Sequence, residues 1–502
     1  MDKNWKTNLA PHPLPDPEYG GAPTAQRLQE IFSRCGDFML RRIEPGLEGG
    51  ETVAVCWLDG LVSAEALSQT VLRPLTDPER GEADTLAAWV RLALRGAVYA
   101  GSVRERQTLD DVVQDLTHGC CALLFERAGR ALCFEVRSAQ TRAVSEPTLE
   151  KSLKGAKDAF VEELRVNTAL VRRRLATPGL KLVEGRVGRK SATRLALLYI
   201  EGAADPGTVE ALARRLDAID VDALLATGTL EEAVTDAPRS PFPQVIHTER
   251  PDRFAMHLSD GRVGLLADGL PIGLLLPVTF AEFMKVTGES SENFLVSSVL
   301  SVLRYLALFL GMLLPAMYVA MAMYHQEMIP TRLLLSMIEA KRNVPFSTAL
   351  EVLGMMISFT LLQEAGLRLP NPIGDTVSII GALIVGQAAV EARVVSPIAI
   401  IVVATAGICC YTLPSQDLAA AVRLAGFAAL LCAVAAGLFG LGVFACLLLW
   451  HLAGIDSFGR SYTAPLSEGR PGALRRVLLR RPQSARRFRD ALLRGWDRRR
   501  RT

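Results

Sequence analysis

Gln387 and Glu391 are the residues best placed to do chemistry in an apolar setting. They lie in the stretch GALIVGQAAVEARVVSP, Gly381 to Pro397. Fifteen uncharged residues, Thr376 to Val390, lead into Glu391 and then Arg393. Helical spacing puts the amide and the carboxylate on one face, one turn apart. An ionised side chain at the centre of a bilayer costs about 2.5–3.5 kcal/mol on insertion scales, so such a group faces protein or water. Glu391 is therefore expected at an interface, lining a cavity, or ending its helix at the headgroups beside Arg393. Gln387 can hydrogen-bond across a helix contact.

Conventional catalytic chemistry has no matching pattern. The sequence contains no GxxxxGK[ST], GxGxxG, HExxH or GxSxG, so no enzyme activity and no cofactor is expected. The six histidines, at 12, 118, 247, 257, 325 and 451, are scattered. The nine cysteines, at 35, 56, 120, 121, 133, 409, 410, 432 and 446, form no CxxC pair. That is neither a zinc pattern nor a disulfide framework, and reduced buried thiols are expected. The Asp-Gly pairs of SDGRVGLLADGLP read as tight turns rather than a metal loop. Arg165, Arg172, Arg173 and Arg174 are basic but lack stacking aromatics, so nucleic acid is not an expected partner.

The elements that must position the polar pair change character near residue 290. Net charge is +3 over 502 residues, so its distribution matters more than its sum. Tyr305–Tyr324 is 20 residues without a charge, Val394–Gln416 is 23, and Leu424–Ile455 is 32 with only His451 titratable. A spanning helix needs about 20 apolar residues, so these runs read as membrane spans. Leu333–Leu369 carries Glu339, Lys341, Arg342, Glu351, Glu364 and Arg368. It reads as an amphipathic segment in the interface or packed on the bundle. Between Arg470 and Thr502 there are 13 Arg against two Asp. This basic tail suits anionic lipid, and by the positive-inside bias it lies in the cytoplasm. The N-terminal stretch has no apolar signal-peptide core, so the first domain is expected in the cytoplasm too. Crossings are then even in number. Four fit, at about 297–323, 375–392, 396–413 and 422–451, although Arg332, Lys341 and Arg342 then fall outside. Six follow if 333–369 hides a further pair.

Before residue 290 the chain reads as α/β in two small subdomains, 24–145 and 146–285, after a disordered segment 1–23. A helical membrane domain, 290–465, and the tail, 466–502, follow. TVAVCWL reads as a strand, TLAAWVRLALRGAVYA as a helix, and Ala122–Phe125 with Ala131–Val136 as a hairpin around Arg127–Arg130. EPTLEKSLKGAKDAFVEELRVNTALVRRRL reads as a long helix, with a candidate break at Gly155. RLALLYIEG, a helix at Gly207–Ile219 and strand-like runs from Val245 to Leu276 complete the second subdomain.

Several ordered motifs resemble the A subunits of GerA-type spore germinant receptors and their paralogues. Glu146, Pro147, Gly155, Phe160, Asn167, Arg172 and Arg174 stand where that family has its Glu-Pro, Gly, Phe, Asn and Arg-x-Arg positions. DGLPIGLLLPVTFAEF resembles the family's pre-membrane stretch. Arg304, Tyr305, Pro315, Tyr318, His325 and Pro330 match its first span. EAGLRLP, with Glu364 and Arg368, then GALIVGQAAVEARVVSP and SFGRSYTAP follow in the family's order. Departures are Lys154-Gly155-Ala156 for Arg-Gly-Pro, Gln363 for an arginine, and Arg460-Ser461 in the last motif. The resemblance covers about 140–465. It implies a membrane subunit of a ligand-gated channel for monovalent cations, a homo-oligomer and specifically a pentamer. Its partners would be a transporter-like B subunit and a lipoprotein C subunit. Its expected place is the inner spore membrane, with the N-domain and tail on the core side. On that reading Gln387, Glu391, Ser378, Gly381 and Gly386 are candidate pore or intramembrane polar positions. A carboxylate ring would favour cations. The alternatives are a paralogue that amplifies germination beside the dipicolinate channel, a lone secondary transporter, or a non-conducting scaffold.

Overall fold

The computed structural model describes residues 19–44, 52–73, 90, 102–138, 147, 150, 155–286, 293–342, 344–368, 386–467, 469, 472–480, 482 and 493. The expected helix TLAAWVRLALRGAVYA lies almost wholly outside these residues. The chain forms two compact units. The first comprises Met1–Val234, His247–Pro277 and Arg487–Thr502, and the second Thr235–Ile246 and Val278–Arg486.

Two antiparallel sheets build the first unit. In one, β1 (Phe38–Ile43), β2 (Val53–Leu58), β3 (Val103–Arg106), β4 (Cys120–Phe125) and β5 (Arg130–Glu135) lie in the order β1-β2-β4-β5-β3. Alternate residues of a strand point to opposite faces. Cys120, Ala122 and Leu124 accordingly join a core with Leu28, Phe32, Leu109, Val112 and Leu116. The latter come from α1 (Ala25–Ile31), the residue after it, and α2 (Leu109–Thr117). Cys121, Leu123 and Phe125 join a second core on the other face, with Val53, Val55 and Phe134. Burial on both faces explains why β4 reads as a continuous apolar run. The expected β4–β5 hairpin is present, turned by Gly129 at φ 63°.

The second sheet has the order β6-β7-β9-β10-β8. Its strands are β6 (Leu180–Val187), β7 (Thr193–Ile200), β8 (Ile246–Thr248), β9 (Val263–Ala267) and β10 (Gly273–Leu276). Helices α3 (Leu164–Arg174), α4 (Pro206–Asp217), α5 (Thr227–Val234) and α6 (Pro251–Ser259) accompany it. Phe254 of α6 packs closely against β9 and β10: a Cβ on Gly264 would come within 2.2 Å of its ring, and one on Gly273 within 2.7 Å.

Among the described residues the helical pattern after Glu146 is interrupted from Gly155, the break the sequence allows, and resumes as a helix at Leu164, so Gly155–Val161 is not helical. Tertiary bonds compete with the helix: Phe160 N donates to Glu249 O at 2.7 Å, and Asn167 holds the backbone of Val161 from both sides.

The second unit is helical. It contains α7 (Phe294–Tyr324), α8 (Thr331–Lys341), α9 (Thr348–Arg368), α10 (Pro397–Tyr411), α11 (Gln416–Ala453) and a short α12 (Ala473–Leu478). Among the described residues α7 and α11 are long and apolar enough to cross a membrane, and α10 is a shorter apolar helix. Small residues allow close packing. Gly311 lies against Ala406 and Cys410, Gly426 against Met312, and Gly407 against the Phe359 ring. The sequence reads 422–451 as one crossing, but the structure breaks it. Ala436 (φ −144°, ψ 22°) and Gly437 (φ 59°, ψ −139°) leave the helical region. Gly440 then comes so close to Cys432 that a Cβ would lie 2.0 Å from its carbonyl oxygen. A straight helix would hold residues eight apart at about 12 Å. The chain therefore turns sharply, and α11 is two helices. Tyr324 marks the turn, its hydroxyl donating to Val434 O at 2.6 Å.

Candidate functional site in the helical unit

The expected polar pair occupies the last turns of a helix that ends at Glu391. Arg393 N donates to Val390 O and Val394 N to Ala389 O, each at 2.9 Å, with Arg393 at φ 55°. This is the bonding of a Schellman C-cap with arginine in the position that favours glycine. Glu391 thus ends its helix, one of the arrangements the sequence allows. Gln387 and Glu391 are both exposed in the single chain, and Gly386 is half-buried with open space around it. Ser378 and Gly381 lie outside the described residues.

Polar groups outside the candidate site positions are buried nearby. Glu351, in the first turn of α9, is 2% exposed, and its carboxylate accepts from Ser396 Oγ at 3.0 Å. Ser396 also caps α10 by accepting from Ala399 N at 3.3 Å. Tyr318 of α7 packs against the same cluster, which includes Val395 and Ala399. Three helices therefore meet around this buried polar contact. Near the other end of α9, Gln363 accepts from Arg423 Nη1 of α11 at 2.5 Å. Gln363 was visible in the sequence only as a departure from the family pattern. Its partner, 60 residues on, carried no signal.

Most family-motif residues hold the fold. Arg172 and Asp37 are each 1% exposed and form a two-pronged ion pair, Nε–Oδ2 2.7 Å and Nη2–Oδ1 2.8 Å. Burial works against the charged guanidinium, but the Asp37 carboxylate outweighs it and raises the Arg172 pKa above its ordinary value. Arg174 pairs with Asp158 and donates to Leu170 O at 3.1 Å. Asn167 Oδ1 accepts from Val161 N at 2.8 Å, and its Nδ2 donates to Val161 O at 2.5 Å.

In the helical unit Arg304 is buried, with Nε donating to Leu300 O at 3.3 Å. Pro315 lies inside α7 and is buried. His325 caps α7 and packs against Gly437. Pro330 precedes α8 as its N-cap. Glu364 is exposed, and Arg368 is the last residue of α9. The SFGRSYTAP motif is a clasp. Tyr462 is fully buried, its hydroxyl donating to Pro243 O at 2.7 Å and its carbonyl accepting from Phe280 N at 2.8 Å. Ser457 Oγ accepts from Val278 N at 3.2 Å, and Phe458 N donates to Asp236 at 2.8 Å. Burial pushes the Tyr462 hydroxyl well above its usual pKa.

No three His, Cys, Asp or Glu side chains converge on a metal position among the described residues. Burial pushes Cys56 up to about 12 and Cys120 up to about 11. Thiols of that kind are structural rather than nucleophilic. The arrangement suits packing, hydrogen bonding and the management of a few buried charges.

Comparison with known proteins adds a family to this geometry. The sequence profile described as Bacillus/Clostridium GerA spore germination protein matches residues 26–492. The chain is 36% identical over 457 residues to the membrane protein YfkQ of Bacillus subtilis (strain 168), covering 91% of this chain and 88% of that one. It is 33% identical over 457 residues to spore germination protein KA of the same organism, covering 90% and 83%. Among solved structures it is similar to the N-terminal domain of the A subunit of the Bacillus megaterium spore germinant receptor GerK3. That likeness is 26% identical with a TM-score of 0.42, over 53% of this chain and 99% of that one.

Proposed function

The chain belongs to the GerA family of spore germination proteins, and on that premise we propose that it is the membrane A subunit of a spore germinant receptor. Its helical unit assembles into a ring, a pentamer, around a pore for monovalent cations that opens on nutrient sensing. A transporter-like subunit supplies the sensor and a lipoprotein subunit completes the receptor. The N-terminal unit and the basic tail lie on the spore-core side of the inner membrane, where the 13 Arg of the tail meet anionic lipid.

One observation carries the reading: Gln387 and Glu391 are exposed in the single chain, next to an apolar bundle. A polar pair of this kind is costly against lipid and is satisfied by a partner helix or by water. Exposure on one copy therefore fits an assembly in which that turn, with Gly386, Gly381 and Ser378 of the same stretch, faces a neighbour or a pore.

Six crossings fit the helices better than four. Glu351 at the start of α9 lies beside Ser396, and Gln363 near its end lies beside Arg423. At 21 residues, α9 is long enough to pass through the bundle. The helices α7, α9, α10 and the two halves of α11 make five passes. The sixth is the crossing expected from the sequence at about 375–392, most of which lies outside the described residues. An even number leaves both termini on one side.

Potassium efflux from proteoliposomes holding the full chain with its cognate subunits tests the proposal. The expected result is nutrient-dependent flux, reduced or altered in selectivity by Glu391→Gln and Gln387→Ala. Unchanged flux and selectivity in both variants would remove the polar pair from the pore. Absence of flux in every pairing would leave a non-conducting scaffold.

A further inference from the structure

Inside the helical unit lies a cavity of about 30 Å³ that the proposed pore does not use. Apolar walls come from Gly311 and Pro315 of α7, Phe359 of α9, Gly407 of α10 and Phe427 of α11. The polar lining is confined to Thr360, Gln363 and Arg423. Thr360 Oγ1 spends its proton on Met356 O at 2.8 Å. Gln363 is 7% exposed, and its Nε2 is buried without a hydrogen-bond partner. Its Oε1 is taken by Arg423 Nη1 at 2.5 Å. Among the described residues, no carboxylate pairs with the Arg423 guanidinium; its hydrogen-bond partner is a neutral amide.

We propose that this cavity binds a small monovalent anion of chloride size, held between the Arg423 guanidinium and the Gln363 amide. Three features converge on that ligand. The free polar hydrogens at the cavity belong to donors, Gln363 Nε2 and the guanidinium, so the occupant has to be an acceptor. A guanidinium in apolar surroundings with only a neutral partner lacks counter-charge, and supplying it offsets desolvation. The lining at Phe359 and Phe427 is apolar and offers no competing counter-charge. Size narrows the class further. One water needs about 10–15 Å³ in this measure, so a space of about 30 Å³ suits a monatomic ion. The anion would join α9 to α11 through two side chains that lie 60 residues apart.

Full-length protein in lipid nanodiscs tests this, with sodium chloride compared against sodium gluconate at equal ionic strength. Gluconate is a far larger anion than chloride. The expected result is a saturable, chloride-dependent rise in thermal midpoint, and broadening of the chloride NMR line that bromide competes away. Gln363→Leu and Arg423→Gln should each weaken the apparent affinity about tenfold or more, the loss of one charge-assisted hydrogen bond. Should Arg423→Gln fail to fold, Gln363→Leu reads the same quantity, because it keeps volume and removes only the donor. Equal midpoints in chloride and gluconate would overturn the proposal; that is the outcome if water or a carboxylate from elsewhere in the assembly fills the cavity. A chloride effect undiminished in both variants would overturn it as well, by placing the ion at another site.

Discussion

Asp37→Asn should destabilise the first unit more than any surface substitution, and the structure sets the scale. Asp37 accepts two short hydrogen bonds from Arg172, at 2.7 and 2.8 Å, and both side chains are 1% exposed. The amide keeps the shape but removes the charge. Arg172 stays protonated, because a guanidinium keeps its proton in proteins even without a carboxylate partner. Breaking a buried pair by removing one partner costs about 3–5 kcal/mol, since the remaining charge is left uncompensated. At about 1.4 kcal/mol per decade that is two to more than three orders of magnitude in the opening equilibrium. Replacing both partners should behave differently. Asp37→Leu with Arg172→Met leaves no stranded charge, and the main residual loss is the hydrogen bond from Arg172 Nη1 to Thr177 O at 3.3 Å, worth about 1 kcal/mol. Hydrogen exchange of the full chain in micelles reads both, through peptides covering Leu164–Arg174 and Phe38–Ile43. Exchange in Asp37→Asn within about tenfold of wild type, or a double variant as labile as the single one, would refute the reasoning.

Three further outcomes are expected. Gly440→Ala should lower the folded yield and thermal midpoint sharply, because its Cβ meets the Cys432 carbonyl at 2.0 Å; Gly442→Ala, with nothing within 4 Å, is the neutral control. Arg393→Gly should stabilise the helical unit by about 1 kcal/mol by relieving a left-handed residue at φ 55°; a lower midpoint in thermal melts would contradict this. The folded state holds Cys56 and Cys120 as thiols with pKa values up to about 12 and about 11, from an ordinary 9.0. Their folded pKa values are the higher ones, so their contribution to stability is complete below pH 9 and declines as pH rises toward 12. Alkaline titration followed by thiolate absorbance should show both ionising only as the unit unfolds.

The first unit was legible where burial repeats with a simple period. β4 and β5 announce themselves as apolar runs around Ala128-Gly129, and the structure pairs them residue for residue. The pattern after Glu146 shows the break at Gly155 but not its length, because Phe160 and Val161 have helical spacing while their backbone finds partners in Glu249 and Asn167. Those partners are set by tertiary position, which a local pattern does not carry. The basic run of α3 was visible as composition only. That Arg172 turns inward to Asp37, 135 residues earlier, while Arg173 reaches Ser138 O at 2.9 Å on an exposed surface, depends on the packing of the two sheets.

In the helical unit the missed feature left a trace in plain arithmetic. An uninterrupted apolar run of 32 residues, Leu424–Ile455, makes about 48 Å of helix at 1.5 Å per residue, against a hydrocarbon core of about 30 Å. One straight crossing wastes a third of it. Two crossings need a turn that costs little space, and a turn inside apolar sequence cannot be marked by the polar residues that usually signal one. Glycine is the remaining device. Gly437 supplies a backbone conformation at φ 59° that side chains disfavour, and Gly440 supplies the room for the returning helix. The freed carbonyl of Val434 is met by Tyr324, because an unpaired backbone group in such surroundings is expensive. The same reasoning separates what length can reveal from what it cannot. It betrays the number of helices, but the polar contacts that lock them, Glu351 to Ser396 and Gln363 to Arg423, join residues 45 and 60 apart and become visible only once the helices are packed.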